Sequence, residues 1–370
     1  MKLIYFANIR IPTERAHGIQ IMKTCEAFAR NGAEVTLVAP ARTNRFKNDP
    51  FAYYRLEKNF KIKKLPCLDL VFLGSIGFKI ETLTFAASVA IFAFFQTGAV
   101  LFTRDEAVAF ATALVGKKIC WEAHQGKNNF ITRFLIKKKV KIVAISHGLK
   151  NFYLKLGARE ENILVAPDGV DLAEFNLNIS KIDARVKLGL SREKKIILYT
   201  GHLYDWKGAD VLAEAAGGLG KDKEVIFVGG ADEDIALFKK KFGWFSNIKI
   251  LGRRPHAEIP LYLKAADVLV LPNSGREDIS RFYTSPMKLF EYMASGRPIV
   301  ASDLPSIREV LNEKNAVFSE PDNPVKLRDA IELALRDKEL TQRIADRALL
   351  DAGEYDWRIR ARKVLDFLST

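Results

Sequence analysis

The sequence predicts two consecutive α/β domains, each built on a parallel sheet of the nucleotide-binding kind. Three observations predict it. Short runs rich in Val, Ile, Leu and Phe alternate with amphipathic segments of helical length from end to end. The alternation restarts near Lys195 after a stretch without strong periodicity. A chain of 370 residues also exceeds one ordinary domain, and suits two of roughly 150 to 200 residues, each with its own core.

The elements follow in order. The first half reads as strand Lys2–Ala7, a helix from about Gly18 to Asn31, strand Glu34–Ala39, a variable region, and then strand Val100–Thr103. Strands at Ile119–Glu122 and Lys141–Ile145 follow, with a helix opening near Ser146. The second half reads as strand Lys195–Thr200, helix Ala209–Leu219, and strands Val225–Val228, Ile248–Leu251 and Val268–Leu271. The join is expected between Asp168 and Arg192, where Pro167-Asp168-Gly169 marks a turn. The domains are therefore drawn as residues 1–175 and 176–354, with a C-terminal helix in 355–370 that returns to the first.

Composition limits the function classes. Residues 1–175 carry 26 Lys/Arg against 15 Asp/Glu, and so hold +11 of the net +14. Such a surplus draws anionic partners, whether nucleic acid, acidic lipid headgroups or a phosphorylated acceptor. No nucleic-acid recognition motif accompanies it. Cys25, Cys67 and Cys120 are widely spaced and contain no Cys-x-x-Cys pair, which argues against a disulfide framework or zinc site and for a reducing cytoplasm. The opening MKLIYFANIR lacks the apolar core and cleavage site of an export signal. Thr82–Thr103 is uncharged, but its dense apolar run is only Phe85 to Phe95. It reads as a buried or half-buried core helix, then a turn and a strand, with a membrane-dipping or spanning helix as the alternative.

Two segments suggest chemistry. In Thr284-Ser285-Pro286-Met287-Lys288-Leu289-Phe290-Glu291, Ser285 suits an N-cap, Pro286 the first helical position, and Gly296 the stop. Free N–H groups near 286–288 at that helix start are able to hold a phosphate. Glu291, one to two turns in, is placed to accept ribose hydroxyls, or else is a solvated carboxylate. In Tyr199-Thr200-Gly201-His202-Leu203-Tyr204-Asp205-Trp206-Lys207-Gly208, a strand runs into a helix through Gly201, which permits close backbone approach. Lys207 can neutralise phosphate oxygens there, although a lone lysine before a helix is commonly just exposed.

Together these segments resemble the family 4 retaining glycosyltransferases, glycosyl transferases group 1. The resemblance spans essentially the whole chain. It includes Arg15-Ala16-His17-Gly18-Ile19-Gln20-Ile21-Met22-Lys23, Ala144-Ile145-Ser146 with Gly148-Leu149, Val165 to Asp171, and Ala265-Ala266-Asp267-Val268. It implies the GT-B fold, two Rossmann-like α/β/α domains facing a central cleft. It also implies transfer from a nucleotide-diphosphate sugar (UDP- or GDP-sugar) to a glycan or lipid-linked acceptor, with retention and no metal or other cofactor.

The same resemblance places residues. Lys207 matches the lysine on the donor diphosphate, and Glu291 the second glutamate of Glu-x7-Glu, which binds ribose. Gly18 matches the glycine whose loop approaches the diphosphate, and His124 a histidine near the donor sugar; in isolation His124 reads as structural. Two positions depart from the pattern. Tyr283 stands for the first glutamate, leaving sugar contacts to backbone N–H groups and to Thr284 and Ser285. His202 stands for an arginine, with a charge that depends on pH. Arg253 falls where the base is held through backbone groups. Asp232-Glu233-Asp234, the one Asp-x-Asp match, is read as a helix opening rather than a metal site.

The expected catalytic set is thus His124, Lys207 and His202. The expected donor set is Gly18, Gly201, Arg253, Tyr283, Thr284, Ser285, Pro286, Met287, Lys288 and Glu291. Arg133, Lys137, Lys138, Lys139 and Lys141 suggest docking on an anionic membrane from the cytoplasmic side, against a merely solvated basic face. A non-catalytic nucleotide-sugar-binding protein of the same fold is the alternative function; an epimerase or phosphorylase would use other site residues.

Overall fold

The computed structural model describes residues 1–370. It divides into two compact units: Met1–Asp168 with Trp357–Thr370, and Gly169–Asp356. Unit 1 contains β1 (Lys2–Phe6), β2 (Glu34–Pro40), β3 (Lys61–Leu65), β4 (Ala99–Thr103), β5 (Ile119–Ala123), β6 (Lys141–Ala144) and β7 (Ile163–Val165). They form one parallel sheet in the order β3-β2-β1-β4-β5-β6-β7. Unit 2 contains β8 (Lys195–Thr200), β9 (Lys223–Val228), β10 (Ile248–Gly252), β11 (Val268–Leu271), β12 (Ile299–Ser302) and β13 (Val317–Ser319). These are also parallel, in the order β10-β9-β8-β11-β12-β13.

In both sheets the chain winds outward one way and then returns to build the other half. The loops after β1 and β4 therefore diverge, as do those after β8 and β11. A crevice at the carboxyl edge follows from that divergence, and ligands of open α/β sheets sit there.

Alternate residues of β8 show why helices cover both faces. Ile196 and Leu198 pack with Leu263, Leu289 and Phe290, whereas Ile197 and Tyr199 pack with Leu212, Phe238 and Ile331 on the opposite side. A parallel strand buried on both faces must be apolar at successive positions. KIILYT is so, which is why β8 was legible. The strands β3, β7 and β13 have no counterpart in the sequence reading. β7 and β13 have three residues each, too few to show a period, and β3 is the lysine-rich edge strand KIKKL.

The uncharged segment forms the expected helix, turn and strand: the helix runs Gly74–Phe94 and β4 follows at Ala99–Thr103, and the helix is half-buried. Phe85, Ala86, Val89, Ala90 and Ala93 are buried, while Ile76, Leu83, Ile91 and Phe94 are 68%, 67%, 65% and 57% exposed. Only 33% of its most apolar stretch is buried. A crossover helix on the outer layer has one face to pack, and an all-apolar sequence hides which. Helix Glu106–Leu114 packs beside it and helix Phe130–Lys137 beside that one, exposing Leu114 and Phe130.

Unit 1 is closed by the last helix, Trp357–Ser369, which packs against Ala16–Arg30. Asn31 Nδ2 donates to the Arg358 carbonyl at 3.0 Å. Lys141 Nζ donates to the Phe367 carbonyl at 2.7 Å. Lys141 is therefore committed to holding this helix, which corrects its expected membership of a solvent-facing basic patch.

Candidate functional site

In unit 2 the expected donor residues collect at the carboxyl edge where β8 and β11 diverge. Gly201 follows β8 at φ +127°, and a Cβ there would lie 3.3 Å from Lys288 Nζ. Gly208, just after Lys207, meets the end of β11 so closely that a Cβ would fall 1.8 Å from the Pro272 carbonyl oxygen. Only glycine permits these approaches without strain.

The helix carrying Glu291 runs Met287–Ala294, one residue shorter at its start than Ser285 capping would give. Thr284 and Pro286 are extended (ψ 143° and 125°), so Pro286 is the N-cap and no side chain caps the first turn. This corrects the expected Ser285 cap and Pro286 first position. The first N–H groups of the helix have no intrahelical partner, as for any helix start, and the partial positive charge there remains. Thr284 and Ser285 are each 8% exposed. Tyr283 ends a π-turn, Ile279–Tyr283, whose Ser280 hydroxyl donates to the Trp206 carbonyl at 3.2 Å. That bond ties the segment before the helix to the Lys207 loop.

Cations gather without carboxylates to match them. Lys288 is buried; its Nζ donates to the Thr200 carbonyl at 2.9 Å and lies 3.8 Å from the Tyr199 ring centre. Burial and then the neighbouring Lys207 push its pKa well below the usual lysine range. Lys207 is half-buried with Nζ 3.8 Å from the Trp206 ring centre, and desolvation lowers its pKa to about 7. His202 stacks on Tyr204 at 4.8 Å and is lowered by burial, then by Lys207 and Arg253. Lys207 depresses both of the others, and basic groups so crowded form a cradle for an anion.

Glu291 has a partner that the sequence reading did not supply. His256 Nε2 lies 2.9 Å from Glu291 Oε1, and His256 Nδ1 3.7 Å from Glu174 Oε1. Tyr292 was also missed: its hydroxyl accepts from the Thr200 N–H at 2.8 Å, fixing the end of β8 to the helix. Nothing in the stretch Pro255-His256-Ala257 distinguishes a partner of Glu291, because the contact spans 35 residues.

Unit 1 sets Gly18 in a tightly packed loop and His124 beside a buried carboxylate. Gly18 has no room for a side chain: a Cβ would lie 2.4 Å from Thr13 and 2.5 Å from the Tyr54 hydroxyl. That hydroxyl accepts from the Thr13 N–H and donates to the Thr13 carbonyl, both at 2.7 Å, clamping the loop. His124 follows β5 with Nε2 3.6 Å from Glu122 Oε1. Glu122 is fully buried and accepts from Gln20 Nε2 at 2.9 Å, Tyr5 at 3.1 Å and Arg360 Nη2. Burial alone would raise its pKa, but Arg360, His124 and Arg104 hold it far below the usual carboxylate range. A charge inside the apolar β5 run was the visible signal of a buried pair; its partner, 238 residues away, was not.

Residues 194–337 match the family model described as Glycosyl transferases group 1. That match lies within unit 2. The chain is 29% identical over 222 residues to a phosphatidyl-myo-inositol mannosyltransferase of Mycobacterium leprae, covering 58% of this chain and 57% of that protein. It therefore spans little more than half the length of this relative. It is 26% identical over 295 residues, 73% of each chain, to an N,N'-diacetylbacillosaminyl-diphospho-undecaprenol alpha-1,3-N-acetylgalactosaminyltransferase of Campylobacter jejuni. Among solved structures, Anabaena HepE in complex with UDP-glucose superposes with a TM-score of 0.77 at 18% identity, covering 100% of this chain and 99% of that one. The sucrose-phosphate synthase of Thermosynechococcus elongatus gives 0.79 at 16%, covering 99% and 98%. These likenesses establish the GT-B fold.

The matched stretch includes the cation cradle and Glu291, whereas Gly18 and His124 lie in unit 1. The Asp232-Glu233-Asp234 run opens the helix Asp232–Phe242 and supplies its acidic first turn.

Proposed function

We propose that the protein is a retaining glycosyltransferase that moves a sugar from UDP- or GDP-sugar to a glycan or lipid-linked acceptor without a metal. The observation that carries this reading is the cradle of Lys207, Lys288 and His202 beside the open helix start at Met287, at the point where β8 and β11 diverge. A diphosphate leaving group gains negative charge as its bond to the anomeric carbon breaks. Groups already fixed where that charge develops lower the barrier most.

In this reading Lys207 neutralises the diphosphate, the N–H groups at Met287 and Lys288 hold it, and His202 donates a further hydrogen bond. Lys288 Nζ supports from behind, being bonded to Thr200. Glu291, oriented by His256, takes the ribose hydroxyls. Tyr283, Thr284 and Ser285 face the transferred sugar in place of the family's carboxylate, and Arg253 borders the base. HepE with UDP-glucose and the diphospho-undecaprenol name of the Campylobacter relative support the donor class and a lipid-linked acceptor.

A thermal-shift panel of UDP, GDP, ADP and their sugars tests the donor. Ligands that bind only the folded state raise its melting temperature by mass action, so one nucleotide family is expected to stabilise and the others not. Sugar release with retained anomeric configuration completes the test. Donor binding with no turnover would favour a non-catalytic nucleotide-sugar-binding protein, and failure of every nucleotide would remove the reading.

We also propose work at the cytoplasmic face of a membrane as a peripheral protein. Ile76, Leu83, Ile91 and Phe94 form one exposed apolar strip, and the adjoining layer exposes Phe130, Arg133, Lys137, Lys138 and Lys139. Apolar residues rimmed by cations suit an acidic bilayer surface. Ile76→Ser/Leu83→Ser/Ile91→Ser is expected to abolish co-flotation with vesicles containing anionic lipid and to leave the thermal response to nucleotide unchanged. Equal flotation of this variant would count against docking.

A further inference from the structure

We infer that Tyr204 and Trp206 are positioning residues, whose rings hold the imidazole of His202 and the ammonium of Lys207 in place for the donor diphosphate without neutralising either group. The inference rests on the glycosyltransferase reading, in which His202 and Lys207 meet that diphosphate, and names what places them.

Neither basic group is fixed by a hydrogen bond. The His202 imidazole makes none, and its Nδ1 is buried without a partner. Its plane is set by Tyr204: the two rings are parallel to within 1°, with centres 4.8 Å apart, an offset stack. Lys207 likewise has no ion pair, and its Nζ rests 3.8 Å from the centre of the Trp206 ring. The two aromatic rings are themselves neighbours, 6.5 Å apart at 25°. The four side chains thus form one ladder: imidazole on phenol, phenol beside indole, ammonium on indole.

The backbone beneath the ladder is anchored at both ends. The Tyr199 hydroxyl donates to the His202 carbonyl at 2.5 Å. The Trp206 carbonyl accepts from the Ser274 N–H at 3.1 Å and from the Ser280 hydroxyl at 3.2 Å. The rings carry that order outward to the charged tips. They do not serve to fill a core. Tyr204 is 43% exposed, and with Trp206 it lines a cavity of about 600 Å³ instead of joining the apolar clusters on either face of the sheet.

Carboxylates are close at hand but are not used. Asp205, Asp210, Asp234 and Glu277 line the same cavity, yet none forms an ion pair with Lys207 or His202. Asp234 acts on His202 only through space, opposing burial, Lys207 and Arg253 from behind. A carboxylate in contact would hold a lysine well, but it would cancel the charge that meets the leaving diphosphate. An aromatic face attracts a cation through its quadrupole and carries no net charge of its own. The ladder therefore gives placement and leaves the positive charge whole.

The test compares Tyr204→Leu and Trp206→Leu with Tyr204→Phe and Trp206→Phe in the full chain. At pH 8 the ring-proton resonances of His202, assigned by their loss in His202→Gln, are expected to move downfield in Tyr204→Leu as the ring current is removed, and to stay in place in Tyr204→Phe. In sugar transfer each leucine variant is expected to lower kcat about tenfold with little change in KM, the usual scale for a slight misplacement of a reacting group. The phenylalanine variants keep the parent rate to within about threefold, since a benzene face still stacks and still attracts a cation. The losses are expected to run through the basic groups: Trp206→Leu costs nothing further once Lys207 is alanine, and Tyr204→Leu nothing further once His202 is glutamine. Tyr204, at an exposed position, carries the test alone should Trp206→Leu melt early. Additive losses, phenylalanine variants as slow as the leucine ones, or an unmoved His202 resonance would each overturn the inference. A parent that transfers sugar from no nucleotide sugar strikes the glycosyltransferase reading instead, a pattern that differs from an active parent with additive variants.

Discussion

Replacing Lys207 with alanine is expected to slow sugar transfer about a hundred- to a thousandfold, the usual effect of removing one preorganised charge from a developing oxyanion. Lys207 makes no hydrogen bond or ion pair that the fold requires, and its ammonium rests only on the Trp206 ring. Folding is therefore expected to survive, and circular dichroism with thermal melting checks that. The pH dependence is sharper still. Burial lowers the lysine to about 7 in the empty site, and a bound diphosphate restores its proton.

Binding of a nucleotide sugar therefore takes up a proton above pH 7. Affinity is flat below that pH and falls about tenfold per unit as pH rises, until the pKa of the complex is reached. UDP-glucose is the better probe than UDP, since its diphosphate does not titrate in that range. Lys207→Arg retains a permanent charge, so its profile is expected to be flat above pH 7 even where its affinity is lower. A parent profile without slope would show that Lys207 is not the group that meets the diphosphate.

The second large effect belongs to stability. Arg360→Met leaves Glu122, at 0% exposure, facing Gln20 and Tyr5 without its hydrogen-bonded countercharge. Stranding a buried charge costs about 3–5 kcal/mol, and replacing the whole pair by apolar groups costs far less. Arg360→Met is accordingly expected to lower the melting temperature strongly, and Glu122→Leu/Arg360→Met to recover much of the loss. The pair also sets an acid limit. The folded Glu122 titrates far below its ordinary 4.5, so its contribution is complete above that value and drains away as pH falls beneath it. The double variant should lose that acid sensitivity. Additive destabilisation would refute the pairing.

How much of this was legible depended on the range of each interaction. β8 and β11 were read to the residue because each is a run of apolar side chains buried on both faces. The capping of Glu291's helix was misread because Ser285 and Pro286 satisfy a local rule that the extended Thr284–Pro286 segment does not use. Glu122 is a charge in a buried strand that the sequence reading passed over, and Arg360 could not be chosen as its partner from 58 Lys and Arg. His256 was hidden by the same distance effect. For the helix Gly74–Phe94 the sequence showed an apolar, half-buried helix but not which face packs, because composition reports that a helix is apolar, whereas exposure depends on what lies beside it.

The last helix has a consequence for the order of synthesis. Because Trp357–Thr370 completes unit 1, the first 168 residues leave the ribosome with the Glu122 carboxylate still lacking its guanidinium. Unit 2, continuous in sequence from Gly169 to Asp356, is finished earlier, contrary to the usual N-terminal-first sequence of domain folding. A nascent chain stopped before Arg360 carries an unneutralised charge in an otherwise assembled core. Messages truncated by even a dozen codons should therefore yield a protein cleared by proteolysis, whereas a chain lacking only the final residues of the helix should persist.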